Sequence, residues 1–71
     1  MSQITLAGAR VSAGFTQQEL ADKIGVSRTS IIKWETGQAQ MKPAYFYAIC
    51  KVTGFEVDDI ILPKVSTLSE Q

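Results

Sequence analysis

Glycines and prolines divide the hydrophobic pattern of this chain into segments of helical length. The dividing residues are Gly14, Gly25, Gly37, Pro43, Gly54 and Pro63. Glycine just past the end of a helix and proline at the first position of the next are the residues preferred at those places. The pattern therefore predicts an all-α domain of five helices, near residues 3–13, 17–24, 28–36, 43–53 and 58–62.

The first two helices carry different signals. Ile4, Ala7 and Val11 recur at helical spacing and predict the buried stripe of the first helix. The second helix follows Thr16, whose hydroxyl can accept the backbone N–H of Glu19 while the Glu19 carboxylate reaches back. Such a capping box marks the start of a helix, so we expect the second helix to begin at residue 17.

The third helix has one buried side and a cationic outer face. At about 100° per residue, Ile31 and Trp34 lie together on the buried side, with Ser30 beside them. A purely solvated face more often carries pairs of Glu and Lys. The outer face here carries Arg28, Thr29, Ile32, Lys33 and Thr36.

The fourth helix carries more apolar residues than one face can hold. We expect Phe46, Ile49 and Cys50 to lie in the core, and Tyr47 and Lys51 to lie outside it. Cys50 follows the apolar residue Ile49, and the chain has no histidine to activate it, so its thiol is expected to be inert.

Charge is zero overall but uneven along the chain. Seven basic residues balance seven acidic ones, and the chain has no histidine. Residues 23–51 carry a net charge of +4, residues 1–22 carry −1, and residues 52–71 carry −3. A local positive surface can attract a polyanion even when the whole molecule is neutral. Charge alone leaves open whether the basic residues form a binding surface or are scattered.

Composition excludes several chemistries. A chain of 71 residues makes one small domain with a thin core, which argues against an enzyme with a deep pocket. Without histidine, and with one cysteine, the chain offers no histidine-based catalysis and no cysteine–histidine metal site. No apolar run spans a membrane and no secretory signal is present. We expect a cytoplasmic, non-enzymatic protein with no metal and no cofactor.

Residues 16–37, TQQELADKIGVSRTSIIKWETG, resemble the helix-turn-helix of the Cro and phage-repressor family, also called lambda-repressor-like. The likeness extends to Arg10, Pro43 and residues 54–60, and so covers about residues 4–62. The matching positions inside the motif are Gln17, Glu19, Leu20, Ala21, Gly25, Val26, Ser27, Ile31, Trp34, Glu35 and Gly37.

The resemblance implies a DNA-binding domain over residues 1–63, with the helix-turn-helix at about 17–36 and a polar tail, residues 64–71, that frays. Its recognition helix would enter the major groove of DNA. The implied base contacts are Arg28, Thr29, Ile32 and Lys33. The implied contacts to the DNA backbone are Gln17, Ser27, Gln38, Gln40 and Lys42.

The resemblance assigns two further sets of residues. Arg10 and Glu35 are expected to form a partly buried ion pair between the first and third helices, with a phosphate contact by Arg10 as the alternative. Val57, Asp58 and Ile61 are expected at a dimer interface.

The family resemblance implies a sequence-specific regulator of transcription, a repressor that binds a two-fold double-stranded operator as a homodimer. The alternative is a protein-interaction module that keeps the fold and has lost DNA binding. Four contexts for the protein remain open: a phage regulator, a restriction–modification controller, an antitoxin, or one domain of a longer repressor.

Overall fold

Four α-helices form the body of the computed structural model, which describes residues 3–65. They are α1 (Leu6–Ser12), α2 (Gln17–Ile24), α3 (Arg28–Thr36) and α4 (Pro43–Thr53). A 3₁₀ turn (Val57–Asp59) and two short strands, β1 (Ile4–Thr5) and β2 (Ile60–Ile61), complete the described chain. The strands pair in parallel, with Ile4 opposite Ile60 and Thr5 opposite Ile61.

The predicted helix over residues 58–62 is wrong. A single 3₁₀ turn forms there, closed by the Asp59 carboxylate, which accepts the backbone N–H of Glu56 at 3.1 Å. The chain then becomes extended at Ile60, where φ is −107° and ψ is 126°. Two consecutive β-branched residues, Ile60 and Ile61, favour the extended backbone, and pairing with β1 satisfies it.

The first helix begins at Leu6 rather than at residue 3, and ends at Ser12 rather than at residue 13. Thr5 is its N-cap, because the Thr5 hydroxyl accepts the backbone N–H of Gly8 at 3.0 Å. The cap leaves residues 4 and 5 extended and free to pair with β2.

The predicted buried stripe of α1 is also wrong. Val11 is 63% exposed, and Ile4 and Ala7 are only partly buried. Leu6 and Ala9 are buried instead. Tertiary contacts orient the helix so that Leu6 faces the core. Ala9, three residues further along, lies on the same side of the helix.

The three middle helices have the bounds that the pattern predicts. The capping box of Thr16 and Glu19 is present at the start of α2. Ser27 caps α3, since its hydroxyl accepts the backbone N–H of Ser30 at 3.2 Å. Gly25 ends α2 with φ of 78°, a left-handed conformation that glycine adopts without steric cost. This turn sets α3 across α2.

The core lies where the helices meet. Ala21 has no exposed surface, and its small side chain lets α2 and α3 cross closely. The ring of Trp34 stacks on that of Tyr45 with a centroid distance of 5.3 Å and an interplanar angle of 30°, and so joins α3 to α4. The buried residues are Leu6, Ala9, Leu20, Ala21, Ile31, Trp34, Ile49 and Ile60.

The expected core side of α4 is only partly correct. Ile49 is fully buried, whereas Phe46 and Cys50 are partly buried at the edge of the core. Tyr47 is 60% exposed and Lys51 is exposed, as the pattern predicts. The small domain has too little interior to enclose the whole apolar surface of this helix.

The end of the described chain packs against the turn after α3. A Cβ atom placed on Gly37 would lie 2.8 Å from the backbone carbonyl oxygen of Lys64, and Gly37 is buried. The tail expected to fray covers residues 64–71, of which residues 66–71 lie outside the described part. Within residues 3–65, no helix combines the length and apolarity needed to cross a bilayer.

Candidate nucleic-acid interface

The outer face of α3 presents two exposed cationic side chains, Arg28 and Lys33. Arg28, Thr29 and Lys33 are exposed on it, and Ile32 is partly buried. Ile31 is fully buried on the opposite side of the helix. Since the back of α3 is held in the core, its exposed face has a fixed orientation relative to the rest of the domain.

Arg10 and Glu35 join α1 to α3 through a partly buried ion pair. Arg10 Nε donates to Glu35 Oε2 at 2.6 Å, and Nη2 donates to Oε1 at 3.3 Å. The two side chains are only 13% and 6% exposed. Arg10 Nη1 also donates to the backbone carbonyl of Phe15 at 2.9 Å. The guanidinium thus bonds to the protein on three sides, which favours a structural role over a phosphate contact.

Gln17 extends this network to the outer face of α3. Its Nε2 donates to Glu35 Oε1 at 3.2 Å, and its Oε1 accepts from Arg28 Nη2 at 3.3 Å. A continuous line of hydrogen bonds therefore runs from Arg10, through Glu35 and Gln17, to Arg28. The sequence points to all four residues but not to the two hydrogen bonds made by Gln17, because these cross between helices and follow no local spacing rule.

The end of α3 carries a second set of hydrogen bonds. Gln38 Nε2 donates to Thr36 Oγ1 at 2.9 Å, and the Thr36 hydroxyl donates to the backbone carbonyl of Ile32 at 2.8 Å. The sequence placed Thr36 on the outer face of the helix without a role. The feature of the sequence that could indicate these hydrogen bonds is a hydroxyl residue in the last turn of the helix, two positions before a glutamine.

The remaining residues expected to meet the DNA backbone are polar and near the ends of α3. Ser27 is exposed, and its hydroxyl lies 3.2 Å from that of Ser30. Gln40 and Lys42 are exposed in the loop between α3 and α4. Lys42 directly precedes Pro43, the first residue of α4, and its side chain makes no capping hydrogen bond there.

The three residues expected at a dimer interface lie on the 3₁₀ turn and β2. Val57 is 42% exposed and Ile61 is 47% exposed. Asp58 is exposed too, and its backbone carbonyl accepts from Gln3 Nε2 at 3.1 Å. The structure thus brings two exposed apolar side chains and one carboxylate to the same end of the fold.

Cys50 lies at the edge of the core, close to the acidic 3₁₀ turn. Burial raises the pKa of the Cys50 thiol, and the negative charges of Asp59 and Glu56 raise it further. All three effects disfavour the reactive thiolate. The thiol therefore has the electrostatic surroundings of an unreactive cysteine.

Two comparisons with known proteins agree with this architecture. The family model described as Helix-turn-helix matches residues 6–60, a stretch that contains all four α-helices of the described chain. The chain belongs to this helix-turn-helix family, of the Cro and phage-repressor type, which confirms the resemblance found in the sequence. One similar protein is an uncharacterized HTH-type transcriptional regulator from Archaeoglobus fulgidus. It is 34% identical over 53 residues, which cover 75% of this chain and 76% of the relative.

Proposed function

We propose that this protein is a sequence-specific, double-stranded DNA-binding regulator of transcription that acts as a repressor. The observation that carries the proposal is the outer face of α3, where Arg28, Thr29 and Lys33 are exposed on a helix whose other side is buried. The major groove is about 12 Å wide and accepts one α-helix. A helix fixed from behind can enter that groove without losing its orientation.

The chemistry of these side chains suits base edges. Arg28 can donate two hydrogen bonds to the O6 and N7 atoms of guanine, and Lys33 can reach the same edge. The methyl groups of Thr29 and Ile32 can pack on thymine methyls. The guanidinium of Arg28 is already hydrogen-bonded to Gln17 in the free protein, which restricts the Arg28 side chain before DNA binds.

The DNA backbone contacts follow from the ends of the helices. The first N–H groups of a helix lack intrahelical partners and favour an anion, and Gln17 is the first residue of α2. Its side-chain nitrogen gives one N–H to Glu35 and keeps a second for a phosphate oxygen. Ser27, Gln38, Gln40 and Lys42 complete the proposed set of backbone contacts.

A homodimer would place one α3 in each half of a two-fold operator. Val57, Asp58 and Ile61 supply the proposed interface, since two of them expose apolar surface that association would cover. Recognition helices of such dimers enter successive major grooves, about 34–36 Å apart. In this proposal the DNA-binding domain comprises residues 1–63, and no cofactor takes part.

Selection from a library of random duplexes tests the proposal. The protein should enrich a palindromic motif whose half-sites lie about one helical turn apart. Lys33→Ala should weaken binding to that motif, whereas Lys51→Ala should not, because Lys51 is an exposed cation on α4. A folded protein that enriches no motif and shifts no duplex would overturn the proposal and favour the protein-interaction alternative.

A further inference from the structure

Thr36 and Gln38 form a hydrogen-bonded pair at the end of α3. We propose that Thr36 is a positioning residue, which holds the side-chain amide of Gln38 in place for a DNA phosphate. The inference rests on the proposed function and adds to it a residue that acts through Gln38 without touching a base.

The direction of each hydrogen bond is determined by the chemistry of the groups. The Thr36 hydroxyl has one proton, and it donates that proton to the carbonyl of Ile32 at 2.8 Å. Its oxygen is then the acceptor for Gln38 Nε2, at 2.9 Å. The backbone N–H of Gln38 donates to the carbonyl of Lys33 at 2.8 Å. Gln38 is therefore tied to α3 by both its backbone and its side chain.

One N–H of the Gln38 amide remains available for a ligand. An amide nitrogen carries two N–H groups, and Thr36 occupies one of them. Phosphate oxygens accept hydrogen bonds, so the second N–H is the group that can donate to a phosphate of the DNA. Gln38 is exposed, and it directly follows the glycine that ends the proposed recognition helix.

The anchoring matters because the loop after α3 carries little positive charge. Between Gly37 and Pro43, Lys42 is the one basic residue of the sequence. A neutral donor gains no counterion release, so its contribution depends on how little freedom it loses on binding. A glutamine that is already held against Thr36 loses less than one that must be ordered by the DNA.

Valine and serine variants at this position separate the hydroxyl from the shape of the side chain. Thr36→Val removes the acceptor and keeps the branched shape, whereas Thr36→Ser keeps the hydroxyl. We expect Thr36→Val to weaken binding to the selected duplex and to random duplex alike, by roughly twofold to tenfold. Thr36→Ser should bind like the wild type, and the salt dependence should be the same for all three proteins.

Gln38→Ala completes a double-mutant cycle. If Thr36 acts through Gln38, the double variant should bind no more weakly than Gln38→Ala alone. Losses that add, or a change of preferred base in Thr36→Val, would overturn the inference and assign Thr36 a contact of its own.

A measurement without DNA distinguishes this inference from the proposed function. Nuclear magnetic relaxation of the Gln38 side-chain amide in the free protein should show restricted motion, and Thr36→Val should release it. An amide that is equally mobile in both proteins overturns the positioning role even when the wild type binds DNA. A restrained amide in a protein that binds no duplex instead removes the proposed function, and with it the phosphate contact.

Discussion

Gln17 links the start of α2 to the partly buried carboxylate of Glu35, since Gln17 Nε2 donates to Glu35 Oε1 at 3.2 Å. The same carboxylate accepts a hydrogen bond from Arg10 Nε at 2.6 Å, and the side-chain Oε1 of Gln17 accepts one from Arg28 Nη2 at 3.3 Å. Two residues proposed to meet DNA, Gln17 and Arg28, are thereby connected to a partly buried ion pair. Changes inside the domain should therefore affect binding as well as stability.

Removing the carboxylate of the ion pair should be costly. Glu35→Ala leaves the guanidinium of Arg10, a side chain only 13% exposed, without its charged partner. We expect the free energy of unfolding to fall by roughly 3–5 kcal/mol, a large part of the stability of a small domain. Thermal and urea denaturation measure the change.

Two variants serve as controls for that experiment. Asp22→Ala removes an exposed carboxylate that, among residues 3–65, hydrogen-bonds only with Gln18, and should change stability by less than about 0.5 kcal/mol. Replacing both partners, Arg10→Met with Glu35→Leu, should recover most of the stability, because no buried charge is left. A Glu35→Ala protein that melts like the wild type would show that the pair is solvated in solution.

Gly37→Ala should destabilise the domain more than Gly25→Ala. Both glycines have φ of 78°, so each substitution incurs the cost of a left-handed conformation, about 1–2 kcal/mol. At Gly37 the new Cβ would also lie 2.8 Å from the Lys64 carbonyl oxygen, whereas at Gly25 no atom of the described residues beyond its chain neighbours lies within 4 Å of it. Denaturation of the two variants should show an excess at Gly37. Equal losses would mean that the segment at Lys64 moves away freely.

Arg28→Ala and Lys42→Ala should weaken DNA binding in different ways. Arg28→Ala should cost about 1–3 kcal/mol on the operator and relax the preference at one base pair per half-site, a G·C pair. Both side chains are exposed, so both variants should keep the wild-type melting temperature. Binding-site selection with Arg28→Ala checks the assignment. An unchanged motif would transfer base reading to Thr29, Ile32 and Lys33.

Salt titration separates Lys42 from the neutral contacts. Most proposed backbone contacts are glutamines, so the slope of log K against log salt should be shallow, near −0.9 for each phosphate neutralised by a cation. Lys42→Ala should weaken operator and random DNA alike and flatten the slope by about one. Gln40→Ala is the matched neutral control, and should leave the slope unchanged. Binding with no salt dependence in the wild type would contradict the proposed contact of Lys42 with a phosphate.

Cys50 should react slowly with alkylating reagents. Its pKa is raised by burial and by the charges of Asp59 and Glu56, so less thiolate is present at a given pH than in the unfolded chain. Iodoacetamide at pH 8 should therefore modify the folded protein more slowly than the protein in denaturant. The pKa of the Cys50 thiol is higher in the folded state than in the unfolded chain. The stability that the protonated thiol contributes is therefore lost as the pH rises through the pKa of the folded state. Equal rates in the two states would contradict the raised pKa.

Local chemistry in the sequence was enough to predict the middle of the fold. The Thr16–Glu19 capping box, the Ser27 cap and the glycines after α2 and α3 act within a few residues, so the helix bounds could be read directly. The cationic outer face of α3 followed from helical periodicity in the same way. The pairing of Arg10 with Glu35 was expected from the family resemblance, since no local rule connects two helices.

Tertiary structure alone decided the conformation of the two ends of the described chain and the hydrogen bonds that connect the residues of the candidate site. The segments that contain Ile4 and Ile60 form strands because they pair with each other. Neither segment has a local feature that would indicate a partner so distant in the sequence. The same pairing seats α1 on Leu6 and leaves Val11 exposed, against its apolar spacing. Gln17 meets Glu35 and Arg28 only because the turn at Gly25 sets α3 across α2. Periodicity determines which face a side chain occupies, but contacts between faces depend on how the elements pack.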